Sequence, residues 1–213
     1  ALAPTCGSIC VDDADRKTWD KAQLGETIGY LAQEIQLLPG TIAENIARFD
    51  PRATNDSIVS AACRAQAHKL ILSLNDGYQT RIGKASVLSG GERQRIGLAR
   101  AFYGNPRILV LDEANANLDS EGEASLERAL ADARDDGITV ILITHRMSIA
   151  GTCDRVLLLR DGAIVNFGTP EEVLRMPQQE IKGSLQSSYL QERTARFATS
   201  WRTRPTSHGR DND

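Results

Sequence analysis

Two short apolar runs constrain the fold of this chain more than any other feature. One occupies residues 108–111 and the other residues 138–143, and both are rich in leucine and β-branched residues. Runs of this kind are typical of buried strands in a parallel sheet. A helix-length segment separates them, and strands that alternate with such helices predict an α/β fold in which helices cover both faces of the sheet.

Periodicity, turn signals and capping signals predict the remaining elements of this α/β core. Helices are predicted at 91–103, 120–133 and 170–176, strands at 8–11 and 27–31, and a hairpin at 156–159 and 163–167. Ser120 is the predicted N-cap of the second helix, because Glu123 follows three residues later.

Residues 39–87 predict a helical subdomain inserted in that core. Helical spacing replaces strand-like runs there and predicts helices at 41–49, 55–67 and 68–74, the first capped by Thr41 with Glu44 three residues on. The core then consists of residues 1–38 and 88–180. Residues 181–213 are rich in arginine, serine and threonine and poor in apolar residues, which predicts a partly disordered C-terminal extension.

Charge and composition argue against several kinds of partner. The formal net charge of −3 gives no electrostatic reason to expect nucleic acid or anionic lipid. No apolar run approaches the roughly 20 residues that cross a bilayer. Cys6 and Cys10 lack a second ligand pair at metal-like spacing, so free, reduced thiols in a cytosolic chain are favoured over a zinc site.

Two adjacent carboxylates, Asp112 and Glu113, follow the first apolar run directly. In open α/β sheets, ligands bind at the carboxyl ends of the strands. Two carboxylates there can divide the work, Asp112 facing a Mg²⁺ ion and Glu113 facing an attacking water. The same pattern also occurs where a strand simply ends in a solvated turn. The neighbouring motifs therefore have to distinguish a ligand site from such a turn.

The segment Leu-Ser-Gly-Gly-Glu-Arg-Gln-Arg at 88–95 supplies that context. Two glycines at a helix start let backbone N–H groups approach an anion, and the helix dipole favours phosphate there. Ser89 adds a hydroxyl donor. The alternative is a serine N-cap followed by a glycine hinge, but the Asp-Glu strand follows this helix directly.

These motifs together resemble the nucleotide-binding domain of an ATP-binding-cassette (ABC) protein, over residues 5–176. The resemblance implies a P-loop NTPase (RecA-like) fold: a parallel sheet flanked by helices, with the inserted helical subdomain. It also implies ATP and Mg²⁺ as cofactors. In order, the matching motifs are the Q-loop, the family signature, the Walker B strand, the D-loop and the switch histidine.

The resemblance implies a role for each matching residue. Glu113 would be the catalytic carboxylate and His145 would contact the γ-phosphate, while Asp112 and Gln33 would face Mg²⁺. The residues expected to contact nucleotide are Gln33, Ser89, Gly90, Gly91, Glu92, Asp112 and Asp119. In the family, two such domains clamp ATP between them, so a second nucleotide-binding domain is the expected partner.

The resemblance narrows further to exporters. The run Leu-Pro-Gly-Thr-Ile-Ala-Glu-Asn-Ile at 38–46 resembles the segment after the Q-loop in exporter cassettes, and the later motifs look most like the ATPase/permease of bacterial type I secretion systems. This implies a transmembrane domain as a second partner. It also implies a place on the cytoplasmic face of the bacterial inner membrane.

Several positions depart from the family pattern. No Gly-rich loop ending Gly-Lys-Ser/Thr occurs in the 213 residues, so the chain is expected to begin downstream of the Walker A loop and its strand. That would leave a raw sheet edge and an exposed apolar face. Glu92 stands where glutamine is usual, Ala114 where proline often follows, and Ala116 where serine is usual. The loop at 81–87 is a residue shorter than in related exporters.

Two other functions remain open at this point. One is a non-catalytic or degenerate cassette that donates its signature motif to a complete partner. The other is a soluble ABC ATPase of DNA repair or translation. Those proteins usually carry coiled-coil insertions or tandem cassettes, and neither occurs in this sequence.

We expect the 213-residue chain alone to hydrolyse ATP negligibly and to bind Mg·ATP only weakly. The reason is that the family holds the phosphates with backbone N–H groups and a lysine of the Gly-rich loop. Isothermal titration of the chain with Mg·ATP checks this expectation. A micromolar dissociation constant would contradict it.

Overall fold

The order of the elements follows the predicted alternation of strands and helices. The computed structural model describes residues 6–11, 13–83, 88–115 and 118–174, and it divides after Ala150 into two units. In the first unit the elements are β1 Cys10–Val11, β2 Ala14–Asp15, α1 Lys21–Thr27, β3 Ile28–Leu31, β4 Gly40–Thr41, α2 Ile42–Ile46, α3 Asn55–Arg64, α4 His68–Ser73, β5 Arg81–Ile82, α5 Gly90–Phe102, β6 Ile108–Asp112, α6 Ser120–Asp135, β7 Thr139–Ile143 and α7 Met147–Ala150.

A parallel sheet of β3, β6 and β7 forms the centre of this unit, in the spatial order β3-β6-β7. Ile28 pairs with Ile108 and Ile108 with Thr139, so the three strands start level and end at the same edge. Leu109 and Leu111 point to one face and are fully buried there. Helix α5 packs on β3 and α6 packs on β7. The predicted parallel α/β core is therefore confirmed.

The opposite face of the sheet is exposed, which corrects one prediction. Tyr30, Ile141 and Ile143 are 55%, 50% and 50% exposed. Side chains alternate between the two faces of a strand, so these residues form one apolar surface. The expectation that helices cover both faces is thus wrong for the described part of the first unit. The alternative expectation of an exposed apolar face is confirmed.

Helices α2, α3 and α4 lie in the region predicted as an inserted subdomain, and the first two are shorter than predicted. Thr41 caps α2 in a complete capping box with Glu44, as predicted. The helix ends at Ile46 rather than at residue 49, because Arg48 and Phe49 take positive φ values of 54° and 59°. Likewise α3 ends at Arg64 instead of residue 67.

Two side chains fasten the insertion to its surroundings. The buried Asn45 amide accepts from the Leu38 N–H at 2.8 Å and donates to the Leu38 carbonyl at 2.9 Å. The Arg48 guanidinium donates to the carbonyls of Gly25, Arg100 and Ala101. Burial lowers the pKa of Arg48, and the neighbouring Arg100 charge acts in the same direction. Asn45 therefore fixes α2 to the segment before β4, and Arg48 fixes the end of α2 to α1 and α5.

Other boundaries also differ from the prediction. The strand predicted at 8–11 is only Cys10–Val11, paired with Ala14–Asp15 in a short antiparallel ladder. Helix α1 was not predicted; Asp20 begins it by accepting from two backbone N–H groups. Helix α6 is capped by Asp119 and not by the predicted Ser120. An aspartate one residue earlier supplies the same acceptor, so Ser120 becomes the first helical residue.

The second unit, described over residues 151–174, contains the predicted hairpin. It consists of β8 Val156–Arg160 and β9 Ala163–Gly168, followed by α8 Pro170–Leu174. Asp161 and Gly162 join the strands with φ values of 49° and 78°, as a two-residue turn between right-twisted strands requires. The last two residues of the predicted helix at 170–176 and the extension at 181–213 lie outside the described residues. None of the helices in the described ranges has the length and apolar content to span a membrane.

Gly29 is expected to be indispensable for packing α5 on the sheet. A Cβ at Gly29 would collide with the Ala101 carbonyl oxygen and lie 2.7 Å from Leu109 Cδ2. We expect Gly29→Ala to lower the free energy of unfolding by about 1–3 kcal/mol through overpacking. Urea unfolding measures this change.

Gly25→Ala in α1 is the matched control. A Cβ there meets nothing within 4 Å, so the helical backbone should gain about 0.5–1 kcal/mol from the replacement. Equal effects of the two substitutions would contradict the close approach at Gly29.

Candidate nucleotide site

The carboxyl ends of the three parallel strands bring three of the predicted residues together. Gln33 lies two residues beyond β3, Glu113 follows β6 directly, and His145 lies two residues beyond β7. Gln33 Nε2 donates to Glu113 Oε2 at 2.9 Å. His145 Nδ1 lies 3.6 Å from Glu113 Oε1. The Glu113 carboxylate therefore stands between the other two side chains.

The backbone of Glu113 is held in the left-handed region, with φ at +47°. This conformation is unfavourable for a residue other than glycine. Its N–H donates to the Ile143 carbonyl of β7 at 2.9 Å. Its carbonyl accepts from Nε2 of Gln94 in α5 at 3.3 Å. Hydrogen bonds from two different elements thus hold the turn that aims the carboxylate.

The orientation of the Gln33 amide follows from its partner. A carboxylate only accepts hydrogen bonds, so the NH₂ group of Gln33 must face Glu113 and its Oε1 atom faces away. Asp112 is half-buried, and its carboxylate makes no hydrogen bond or ion pair with any residue that the structure describes. An amide oxygen and an unpaired carboxylate are oxygen ligands of the type that Mg²⁺ prefers. Gln33 and Asp112 therefore offer oxygen ligands of the chemical type that a Mg²⁺ ion would need.

His145 is the least constrained member of the group. Its side chain is 72% exposed, whereas that of Glu113 is 30% exposed. A separation of 3.6 Å exceeds hydrogen-bond distance, so a neutral imidazole makes no hydrogen bond to the carboxylate. Only a protonated His145 would form an ion pair with Glu113. The imidazole is consequently free to turn toward a third group.

The signature residues form a capping box at the start of α5. Ser89 Oγ accepts from the Glu92 N–H at 3.2 Å, and Glu92 Oε2 accepts from the Ser89 N–H at 2.7 Å. The hydroxyl hydrogen of Ser89 is still available to a ligand. Gly90 is exposed and Gly91 half-exposed beside it. Among the described residues, no recorded hydrogen bond or ion pair joins these four to the group around Glu113.

Asp119 has a structural role at the start of α6. Its Oδ1 atom accepts from the Gly122 N–H at 2.8 Å. The side chain is exposed and retains a second oxygen for another partner. Ala116 and Asn117, the latter the first residue of the predicted D-loop, lie outside the described residues. So do residues 84–87 of the loop before the signature.

Gln94 is a supporting residue to which the sequence alone assigned no role. It is 4% exposed and lies four residues before Leu98 on the buried face of α5. A polar residue on an otherwise apolar helical face was the available signal, because buried polar groups are nearly always hydrogen-bonded.

Gln94→Leu tests whether this amide supports the Glu113 turn. The substitution keeps the buried volume but leaves the Glu113 carbonyl without its donor from α5. We expect the free energy of unfolding to fall by about 1–2 kcal/mol. Gln23→Leu, at an exposed position of α1, is the control and should stay within about 0.5 kcal/mol of the parent. Equal unfolding free energies for the two variants would contradict the supporting role.

Comparison with known proteins agrees with this architecture. The sequence pattern of the ABC transporter family matches residues 1–116. The type I secretion system ATP-binding protein PrsD of Rhizobium meliloti is 46% identical over 81% of this chain and 30% of its own length. The putative multidrug export ATP-binding/permease protein YgaD of Bacillus subtilis is 37% identical over 82% of this chain and 30% of its own length.

A third relative is the mitochondrial potassium channel ATP-binding subunit of Xenopus tropicalis, 41% identical over 81% of this chain and 25% of its own length. The chain thus spans about a third or less of the proteins that it matches. The predicted P-loop NTPase fold is confirmed by the family match and by the parallel sheet. The chain belongs to the ABC transporter family.

Proposed function

We infer that this chain is part of the ATP-hydrolysing motor domain of an ABC exporter. The observation that carries the inference is the convergence of Gln33, Glu113 and His145 at the carboxyl ends of three parallel strands. A carboxylate held between an amide and an imidazole suits a general base that activates water. The membership of the chain in the ABC transporter family supports the choice of ATP as substrate.

In the proposed reaction, each residue of the cluster has one task. Glu113 Oε1 or Oε2 accepts a hydrogen bond from the attacking water and aligns it with the γ-phosphorus of ATP. Gln33 fixes the rotation of that carboxylate through its amide nitrogen. His145, which is free to turn, donates a hydrogen bond to a γ-phosphate oxygen as negative charge develops there.

The residues that face a cation complete the site. Asp112 and the Oε1 atom of Gln33 would hold Mg²⁺, which neutralises phosphate charge when it is bound. The Gly-rich loop that holds the phosphates in the family has no counterpart in these 213 residues. Hydrolysis is therefore proposed for the full-length protein in which this chain occurs.

The proposed partners follow from the position of the signature motif. Ser89, Gly90 and Gly91 are accessible at the start of α5 and lie apart from the Glu113 cluster in the recorded contacts. This arrangement suits a motif that contacts nucleotide bound by a second cassette, most simply in a homodimer. Glu92 and Asp119 would contribute to the same interface.

The proposed transport role is type I protein secretion. The support is the 46% identity to a relative named as a type I secretion ATP-binding protein, together with the exporter-like run at 38–46. The full-length protein would then include or bind a transmembrane domain. It would act at the cytoplasmic face of the bacterial inner membrane.

Glu113→Gln in the full-length protein tests the proposed chemistry. The substitution keeps the shape of the side chain but removes its ability to act as a base. We expect kcat for ATP hydrolysis to fall by about 100-fold or more, while binding of a fluorescent ATP analogue persists. Steady-state phosphate release measures the first quantity and fluorescence titration the second.

Glu121→Gln serves as the matched control, because Glu121 is an exposed residue of α6 without an assigned role. Its kcat should remain within about twofold of the parent. An undiminished rate in the Glu113→Gln protein would overturn the proposed function. A parent protein that binds a partner cassette and hydrolyses no ATP would favour the signature-donor alternative.

A further inference from the structure

The loop that carries His145 is attached to the start of α6 by an ion pair. The Arg146 guanidinium contacts the Glu123 carboxylate, and the two side chains are 40% and 36% exposed. Glu123 lies in the first turn of α6. The pair therefore joins the residue that follows His145 to a helix that begins eight residues after β6 ends.

The residue before His145 is held by the same stretch of chain. Thr144 Oγ1 donates to Oδ1 of Asn115 at 3.3 Å and accepts from the Arg146 N–H at 3.1 Å. Asn115 is only 1% exposed and lies two residues after Glu113. The two neighbours of His145 are thus each held by another element: Thr144 by Asn115, and Arg146 by Glu123. Among the residues that the structure describes, the imidazole makes one polar approach, the 3.6 Å separation from Glu113.

The backbone of Glu123 is fixed in the first turn of α6. Its backbone N–H donates to the Asp119 carbonyl at 2.9 Å, and the Asp119 side chain caps the same turn. A carboxylate in the first turn of a helix is stabilised by the helix dipole. Arg146 therefore pairs with a charge whose position is set by α6.

We propose that Arg146 and Glu123 are a positioning pair that sets where His145 stands relative to Glu113. This inference rests on the proposed function and extends it to two residues that are assigned no contact with ATP or with the attacking water. Through the pair, the segment that contains Asp119 controls the position of the switch histidine. A displacement of α6 at its first turn is then transmitted to the imidazole.

The expected effect falls on catalysis and not on the fold. Ion pairs that are more than a third exposed contribute little to stability, because water screens them. Catalytic rates, in contrast, respond strongly to small displacements of a reacting group. Loss of the pair should therefore lower kcat in a protein that remains folded.

A charge exchange in the full-length protein tests the pair. We expect Arg146→Glu and Glu123→Arg each to lower kcat about tenfold with little change in KM for ATP, because the pair acts through His145 and not through binding. The double variant, in which the two charges are exchanged, should recover to within about threefold of the parent. Arg146→Lys should retain most of the activity.

Arg134→Glu is the control for a charge reversal, since Arg134 pairs with Asp135 at the far end of α6. Its kcat should match that of the parent. Strictly additive losses in the double variant would overturn the positioning pair and leave the proposed function intact. If Glu113→Gln does not lower hydrolysis, the proposed function fails instead.

Hydrogen–deuterium exchange gives a readout that needs no hydrolysis. Both single variants should exchange faster than the parent over residues 144–150, and the double variant should return to the parental rate. Unfolding curves identify any variant that has lost its fold, and Arg146→Gln, which removes the charge without reversing it, then replaces it in the comparison. Unchanged exchange over 144–150 in the single variants would overturn the proposal.

Discussion

The left-handed turn at Glu113 is the constraint on which the rest of the site depends. A parallel strand normally continues in extended conformation, but the chain turns here at φ +47°. The turn is stable because β7 accepts its N–H and α5 donates to its carbonyl. Strained residues persist where the surrounding structure over-determines them. The geometry of the candidate site is therefore a property of the packed sheet and helix, and not of the loop itself.

This dependence explains why helix packing matters to the chemistry. Helix α5 approaches β3 closely enough that only glycine fits at position 29, and the same helix carries Gln94 to the Glu113 carbonyl. The first turn of α5 is the signature motif. One rigid helix thus connects the surface that would meet a partner with the turn that aims the carboxylate. A tilt of α5 would therefore displace both the signature residues and the contact between Gln94 and the Glu113 turn.

Local sequence signals predicted most of the helices and strands, whereas contacts between residues distant in the sequence could not be predicted from it. The Thr41 capping box and the Asp161-Gly162 turn depend on neighbours within three residues, and both were predictable. The early end of α2 was not, because Arg48 is bound by carbonyls of α1 and α5 that lie 23 to 53 residues away. The predicted N-cap of α6 was wrong by one residue. Asp119 and Ser120 are both favourable N-cap residues, so the local sequence does not distinguish between them.

The same limit applies to the candidate site. The order of the motifs predicted which residues belong to it, and the parallel sheet explains why Gln33, Glu113 and His145 meet. The sequence did not predict the supporting residues Gln94 and Asn115. Gln94 acts through one contact with the Glu113 carbonyl, and Asn115 acts through one contact with Thr144. Such contacts leave no periodic pattern in a sequence.

Glu92 stands where glutamine is usual in the family, and the structure gives a physical reason why glutamate is compatible with this position. A capping box needs a side-chain oxygen at the third helical residue, and glutamate and glutamine both supply one. Glu92 accepts the Ser89 N–H at 2.7 Å, a short bond of the kind that a charged acceptor makes. The glutamate therefore preserves the cap and adds a negative charge that the helix dipole stabilises. If a nucleotide binds at this helix as proposed, it binds beside a carboxylate that already accepts the Ser89 N–H.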